Sequence, residues 1–210
     1  MRIQNGIKAV FFDLGKVMLG FDHQEIVKRL LSRRMPDERR AGELFDCLFD
    51  HETGLCSLYD TGGISSREFY GEIDRRFGLG VSYKEFVPLW NGIFTENAEV
   101  SGLVRRVRKS LPVYLLSNVN ELHWEYARRR FPVLSELDGW VLSYEVKARK
   151  PDPAIYRAAL SKAGAGAWES VFVDDMEENT EAAAGCGILG VTFRDAAQAE
   201  KSLKKLGVLN

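Results

Sequence analysis

The chain has almost no surplus of either charge: 29 basic side chains stand against 30 acidic ones, a formal net charge of −1. Nucleic acids and anionic membranes recruit proteins through a one-signed field, so its absence turns attention to a small partner instead. Cysteine is scarce. Cys47, Cys56 and Cys186 are odd in number and contain no close CxxC pair, which argues against a disulfide framework or a structural zinc site. They fit reduced thiols filling a core in a cytoplasmic protein. Long apolar runs are also missing. The first, Ala9 to Phe12, stops at Asp13, far short of a signal-peptide core or the roughly 20 residues of a membrane span. Internal repeats and low-complexity segments are absent too, so 210 residues are expected to form one large domain or a domain carrying an insert.

What the sequence does contain is an alternation of short strand-like and longer helix-like segments, confined to its second part. From Ala98 onward the pattern reads helix (Val100 to Lys109), strand (Val113 to Leu116), helix (Leu122 to Arg130), strand (Trp140 to Ser143), helix (Ala154 to Ala163) and strand (Val171 to Val173). A helix through Ala182, a strand from Ile188 to Phe193 and a last helix with Leu203 and Leu206 complete it. This is the βαβ alternation of a parallel sheet wrapped by helices. Between Phe21 and Thr95 apolar residues instead recur at helical spacing, as in Ile26, Leu30 and Leu31, or Phe69, Ile73 and Phe77. Ser65 with Glu68 makes a capping box behind the turn Asp60 to Gly63. A helical insert therefore interrupts the sheet after its first strand.

Acidic and polar residues end the strands. Asp13 closes Ala9 to Phe12 and precedes the turn Leu14 to Val17; Ser117 and Asn118 follow Pro112 to Leu116; Asp174 and Asp175 follow Ser170 to Val173. Ligands of open α/β sheets bind outside the carboxyl ends of the strands, so these residues and Lys150, beside Pro151, can converge on one pocket. Asp13, Asp174 and Asp175 would repel one another unless a cation neutralised them, and hard carboxylate oxygens suit Mg²⁺. Lys150 would supply positive charge to a phosphoryl oxygen, with the Ser117 hydroxyl and nearby backbone N–H groups hydrogen-bonding the others. A phosphate ester held there can be attacked in line by Asp13, giving an aspartyl-phosphate that water hydrolyses. Each element also has a plainer reading: Ser117 and Asn118 as a helix cap and turn, Lys150 as a solvated lysine, Asp174 and Asp175 as caps.

Taken in order, these motifs resemble the haloacid dehalogenase-like (HAD) hydrolase superfamily, and the resemblance spans essentially the whole chain. Phe12 to Val17 looks like the first motif, Ser117 and Asn118 the second, Lys150 and Pro151 the third, and Val173 to Asp175 with Asn179 the fourth. Ser117 to His123, together with Asp-Leu-Gly and Arg-Lys-Pro, looks like the branch of bacterial sugar-1-phosphate phosphatases. The resemblance implies an α/β fold, a Rossmann-like parallel sheet core over residues 1–18 and 96–210 with an inserted all-helical cap over 19–95. It implies a Mg²⁺-dependent phosphatase with Asp13, Lys150 and Ser117 catalytic, Ser117, Asn118 and Lys150 binding phosphate, and Asp13, Gly15 (through its carbonyl), Asp174 and Asp175 holding metal. The expected partner is a small phosphorylated metabolite, with neither nucleic acid nor membrane, on a monomer or homodimer.

One position departs from that family. Most of its phosphatases carry a second Asp two residues after the nucleophile to protonate the leaving oxygen, and here Gly15 stands there. Either the substrate has an acidic leaving group, as in an anomeric or acyl phosphate, or another side chain gives the proton; Asp22, His23 and His123 are candidates. Two alternatives stay open: a 2-haloacid dehalogenase using the same Asp, which would not need Mg²⁺, and a degenerate domain that only binds a phosphorylated ligand. The basic runs Arg105 to Lys109 and Arg128 to Arg130 read as solvated helix faces. Phe86, Trp90 and Phe94 read as a packing stripe that could line the cap–core interface, and His51 as an exposed cap residue.

Overall fold

The computed structural model of the chain describes residues 6–32, 38–50 and 53–210; His51 lies outside them. At its centre is β1 (Ala9–Phe12), every residue of which is buried. An unbroken apolar tetrapeptide is what a strand covered by helices on both faces requires. On one side β1 pairs in parallel with β4 (Val113–Ser117), which pairs with β5 (Gly139–Leu142). On the other it pairs with β6 (Ser170–Asp174) and, beyond it, β7 (Leu189–Thr192). The order β5-β4-β1-β6-β7 means the chain leaves β1 toward one edge and later crosses to the other. The carboxyl ends of β1, β4 and β6 thus flank the switch point of the sheet, where doubly wound folds hold ligands.

The helices of this half are α6 (Ala98–Val107), α7 (Glu121–Arg130), α8 (Pro132–Ser135), α9 (Ser143–Val146), α10 (Pro153–Ala163), α11 (Glu177–Gly185) and α12 (Ala196–Lys205). They agree with the expected alternation, with ends moved by local chemistry. Asn97 caps α6 through the Val100 N–H and Asn120 caps α7 through the His123 N–H, so both helices begin earlier than their apolar spacing suggested. The arginines of the basic runs lie on exposed faces and pair with carboxylates, Arg105 with Glu136, Arg106 with Glu200, Arg108 with Asp138 and Arg129 with Glu125.

Between β1 and β4 the chain leaves the sheet through β2 (Leu19–Gly20) and returns through β3 (Thr95–Glu96), an antiparallel ribbon of two-residue strands. The sequence pattern showed no strand here, because two residues are too few to display a period. Beyond the ribbon lie α1 (His23–Leu30), α2 (Glu38–Phe49), α3 (Leu55–Asp60), α4 (Ser66–Phe77) and α5 (Tyr83–Asn91). Their inward faces make a separate apolar core around Ile26, Leu44, Tyr59, Phe69, Phe86 and Trp90. The Ser65–Glu68 capping box opens α4, and Ser82 with Glu85 makes a second one at α5. The helical insert is seated on the sheet half by hydrogen bonds from core side chains to α3 and the turn after it. Ser143 Oγ donates to the Asp60 carbonyl (2.5 Å), Lys147 Nζ to the Gly62 carbonyl (2.8 Å) and Arg149 Nη1 to Ser57 Oγ (2.6 Å). Gly62, at φ +64°, permits the approach: a side chain there would fall against the Tyr144 carbonyl and the Lys147 ammonium.

Candidate active site

Asp13, Asp174 and Asp175 come together as the topology requires. The Asp13 N–H donates to the Val173 carbonyl (2.9 Å), which aligns the ends of β1 and β6. Carboxylate oxygens of the three residues lie within 4.8 Å of one another. Asp174 is fully buried, Asp13 nearly so, and Asp175 is partly exposed. Lys150, also buried, reaches into the group with Nζ 2.7 Å from Asp13 Oδ1 and 2.5 Å from Asp174 Oδ2. The other Asp174 oxygen accepts from the Met176 N–H and from Asn179 Nδ2, both at 2.9 Å. Asp174 is thus locked by β6, α11 and the lysine together.

The charges follow from this geometry. Burial raises the Asp13 carboxyl; Lys150 works against that rise and Asp174 adds to it, leaving a pKa of about 6. Burial, reinforced by Asp174, also raises Asp175. Burial opposes the charge on Lys150, but Asp13 and Asp174 outweigh it and hold the ammonium protonated. One cation among three carboxylates leaves the cluster negatively charged, and its donors are hard oxygens at the ends of two strands, β1 and β6. That donor set fits a divalent ion such as Mg²⁺.

Ser117 and Asn118 end β4 beside this cluster, but with different duties. Ser117 is buried and lines the adjoining cavity. The Asn118 side chain is committed elsewhere: its Oδ1 accepts from the Lys150 N–H (2.8 Å) and its Nδ2 donates to the Lys150 carbonyl (2.9 Å). It therefore clamps the lysine's main chain, a long-range pairing that local pattern does not show.

The cavity is about 310 Å³ and lies between the helical insert and the ends of β1 and β4. Gly15 sits in its wall, and a Cβ there would meet the Phe21 ring at 2.8 Å. The space an acid at position 15 would occupy is filled by an aromatic side chain. Of the three surrogate candidates, Asp22 is exposed and caps α1 by accepting from the Gln24 N–H. His123 stacks on Trp90 with both ring nitrogens engaged, Nε2 on the Trp90 carbonyl and Nδ1 on Asn120 Nδ2, each at 3.2 Å. Burial lowers its pKa to about 3, so the ring is neutral. His23 lines the cavity face to face with Phe49, its pKa lowered by burial.

The sequence pattern gives no site role to several cavity residues: Ser57 and Asp60, and Asn120 and Arg149, which it shows only as members of the Ser117 to His123 and Arg-Lys-Pro motifs. In the sequence pattern Asp60 is only the first residue of a turn. All three cysteines are partly buried and pack against the apolar cores, Cys47 and Cys56 in the insert and Cys186 on the sheet half, and Cys56 also lines the cavity. Trp90 and Phe94, from the aromatic stripe, do line the interface.

An open parallel sheet with a buried aspartate after β1, a buried lysine and an acidic cluster at its switch point is a doubly wound α/β fold with a candidate active site where such folds hold ligands. A family model for haloacid dehalogenase-like hydrolases matches residues 7–187, and the chain belongs to that family. A D-ribitol-5-phosphate phosphatase of Bacteroides thetaiotaomicron is 27% identical over 82% of this chain and 85% of its own. A sesquiterpene phosphatase of Aspergillus oryzae is 25% identical over 95% and 96%. A crystal structure of a HAD family enzyme from B. thetaiotaomicron, in complex with magnesium and inorganic phosphate, superposes with a TM-score of 0.79 at 30% identity, covering 90% of this chain and 95% of that one. Both of these sequence relatives are named as phosphatases.

Proposed function

We propose that the enzyme hydrolyses a small phosphorylated metabolite, a sugar or polyol phosphate, with Asp13 as nucleophile and Mg²⁺ as cofactor. The single observation that carries this reading is the buried constellation of Asp13, Lys150 and Asp174 beside a cavity whose wall includes their neighbours Leu14, Gly15, Ser117 and Asn118. Asp13, Asp174, Asp175 and the Gly15 carbonyl are the ligands proposed for the ion, which when bound would offset the negative charge of carboxylates and phosphoryl oxygens. Lys150 then pairs with a phosphoryl oxygen in place of one carboxylate contact, and the Ser117 hydroxyl with neighbouring peptide N–H groups orients the others. Since the Asn118 amide is spent on Lys150, that residue's share falls to its main chain. Asp13 attacks phosphorus, the ester oxygen leaves, and water cleaves the aspartyl-phosphate. The two phosphatase relatives and the magnesium and phosphate complex support the reading. The dehalogenase alternative has only fold-level support, an L-2-haloacid dehalogenase structure at 15% identity.

Phosphate release from a panel of phosphorylated metabolites, with Mg²⁺ and with EDTA, tests it. Release that requires the metal and is lost in Asp13→Asn is expected. Release unaffected by Asp13→Asn would remove Asp13 as nucleophile.

A further inference from the structure

Gly15 leaves the leaving oxygen without the usual proton source, and Phe21 fills the space an acid there would need. In-line attack places that oxygen on the far side of phosphorus from Asp13, toward the helical insert. A replacement acid must therefore hang over the sheet from that insert and face the cavity with a free oxygen.

Asp60, the last residue of α3, meets these conditions. Its carbonyl is held at the end of β5 by Ser143 Oγ (2.5 Å), and its Oδ1 accepts from Asn120 Nδ2 (3.0 Å) on the loop that carries Ser117. Among the described residues nothing hydrogen-bonds its other carboxyl oxygen, and Asp60 lines the same cavity as Gly15 and Ser117. Asp22 points to solvent and both His123 nitrogens are engaged, so neither competes. The groups facing Asp60 are Arg149 and Cys56 on the cavity wall, with His23, His123 and Asp50 also lining the cavity and Lys147 beyond Gly62. Burial dominates over the hydrogen bond from Asn120 and the charge of Arg149, raising the carboxyl to about 6.

We propose that Asp60 is the general acid and base of this phosphatase, replacing the acid that position 15 lacks. This rests on the reading of Asp13 as nucleophile. As the Asp13 oxygen bonds to phosphorus, the bond to the ester oxygen breaks and that oxygen takes the Asp60 proton, leaving an alcohol and the Asp60 carboxylate. Water then attacks the aspartyl-phosphate, its hydroxyl going to phosphorus and its proton to Asp60. Phosphate departs and both aspartates are restored.

The test compares Asp60→Asn with wild type on p-nitrophenyl phosphate, whose leaving group needs no proton, and on n-propyl phosphate, whose alcohol needs one and carries no hydroxyl to be recognised. The ratio of kcat/KM on the alkyl ester to that on the aryl ester, which reports the step in which the ester oxygen leaves and not the shared hydrolysis of the aspartyl-phosphate, is expected to fall about 10²- to 10⁴-fold in Asp60→Asn. The alkaline decline of the wild-type alkyl-ester profile, set by a group near 6, is expected to vanish with it. A release of one equivalent of p-nitrophenol and an unchanged circular dichroism melting curve certify that the variant folds, and Asp60→Glu, which restores a carboxyl, should recover part of the ratio. An unchanged ratio, a wild type that cleaves only the aryl ester, or a ratio that collapses in His23→Gln instead would each overturn the role of Asp60. Loss of both substrates in the wild type would sink the phosphatase reading itself.

Discussion

Replacing Lys150 by Met isolates what the buried cation does. Met keeps the apolar stem, and the Asn118 clamp binds the main chain of residue 150, so the backbone stays seated. What disappears is the ammonium at 2.7 Å from Asp13 and 2.5 Å from Asp174, two carboxylates with 7% and 0% exposure. Removing one partner of a buried ion pair costs about 3–5 kcal/mol, because the remaining charge is left in a poor solvent. For a chain of this size each kcal/mol moves the melting temperature by roughly 2–4 °C, so Lys150→Met should melt about 6–20 °C lower in EDTA. Mg²⁺ should rescue the variant more than it stabilises wild type, since it meets one more unbalanced negative charge. At one hundred times its Kd the ion returns about 2.7 kcal/mol. Thermal unfolding followed by circular dichroism, with EDTA and with Mg²⁺, measures both quantities. Equal melting temperatures in EDTA, or equal Mg²⁺ shifts, would refute the claim that Lys150 neutralises this cluster.

Two further predictions address the cavity wall. Gly15→Asp should lose about 1–3 kcal/mol by overpacking against Phe21, and Phe21→Ala in the same chain should recover much of it; urea unfolding of the four-member cycle should show coupling, where additivity would exclude the clash. His123 is held neutral, its pKa near 3 against an ordinary 6.5. The unfolded chain takes up a proton below 6.5 that the folded one refuses, so stability present above pH 6.5 drains away as pH falls, by about 3 kcal/mol at pH 4. His123→Gln should remove that slope, narrowing its stability deficit against wild type between pH 6.5 and 4; a deficit independent of pH would show that the ring is not held neutral by its site.

Legibility in the sequence tracked the range of the interactions involved. β1, β4 and β6 announced themselves because a doubly covered strand must be apolar throughout, and the polar residue that ends each run could be named without coordinates. The Ser65–Glu68 cap was visible for the same reason, as its partners are three residues apart. The β2–β3 ribbon was invisible because its four residues show no period and their pairing spans the whole insert. Asn118 was assigned to phosphate because nothing nearby reveals that its amide is spent on a residue 32 positions away. Asp60 looked like a turn residue, and becomes a chemical group only when Asn120 and Ser143 hold it above the sheet.

By itself, then, the sequence determined the layered α/β architecture, the order of the strand-ending acids and lysine, and the presence of a helical insert, because each depends on hydrophobic periodicity or on neighbours within a few residues. Only the tertiary structure decided which carboxylates share a lysine, what fills the space beside Gly15, and which side chains of the insert line the cavity with Gly15 and Ser117. Those outcomes depend on distances between segments, which loop closure and packing set and which no local pattern encodes.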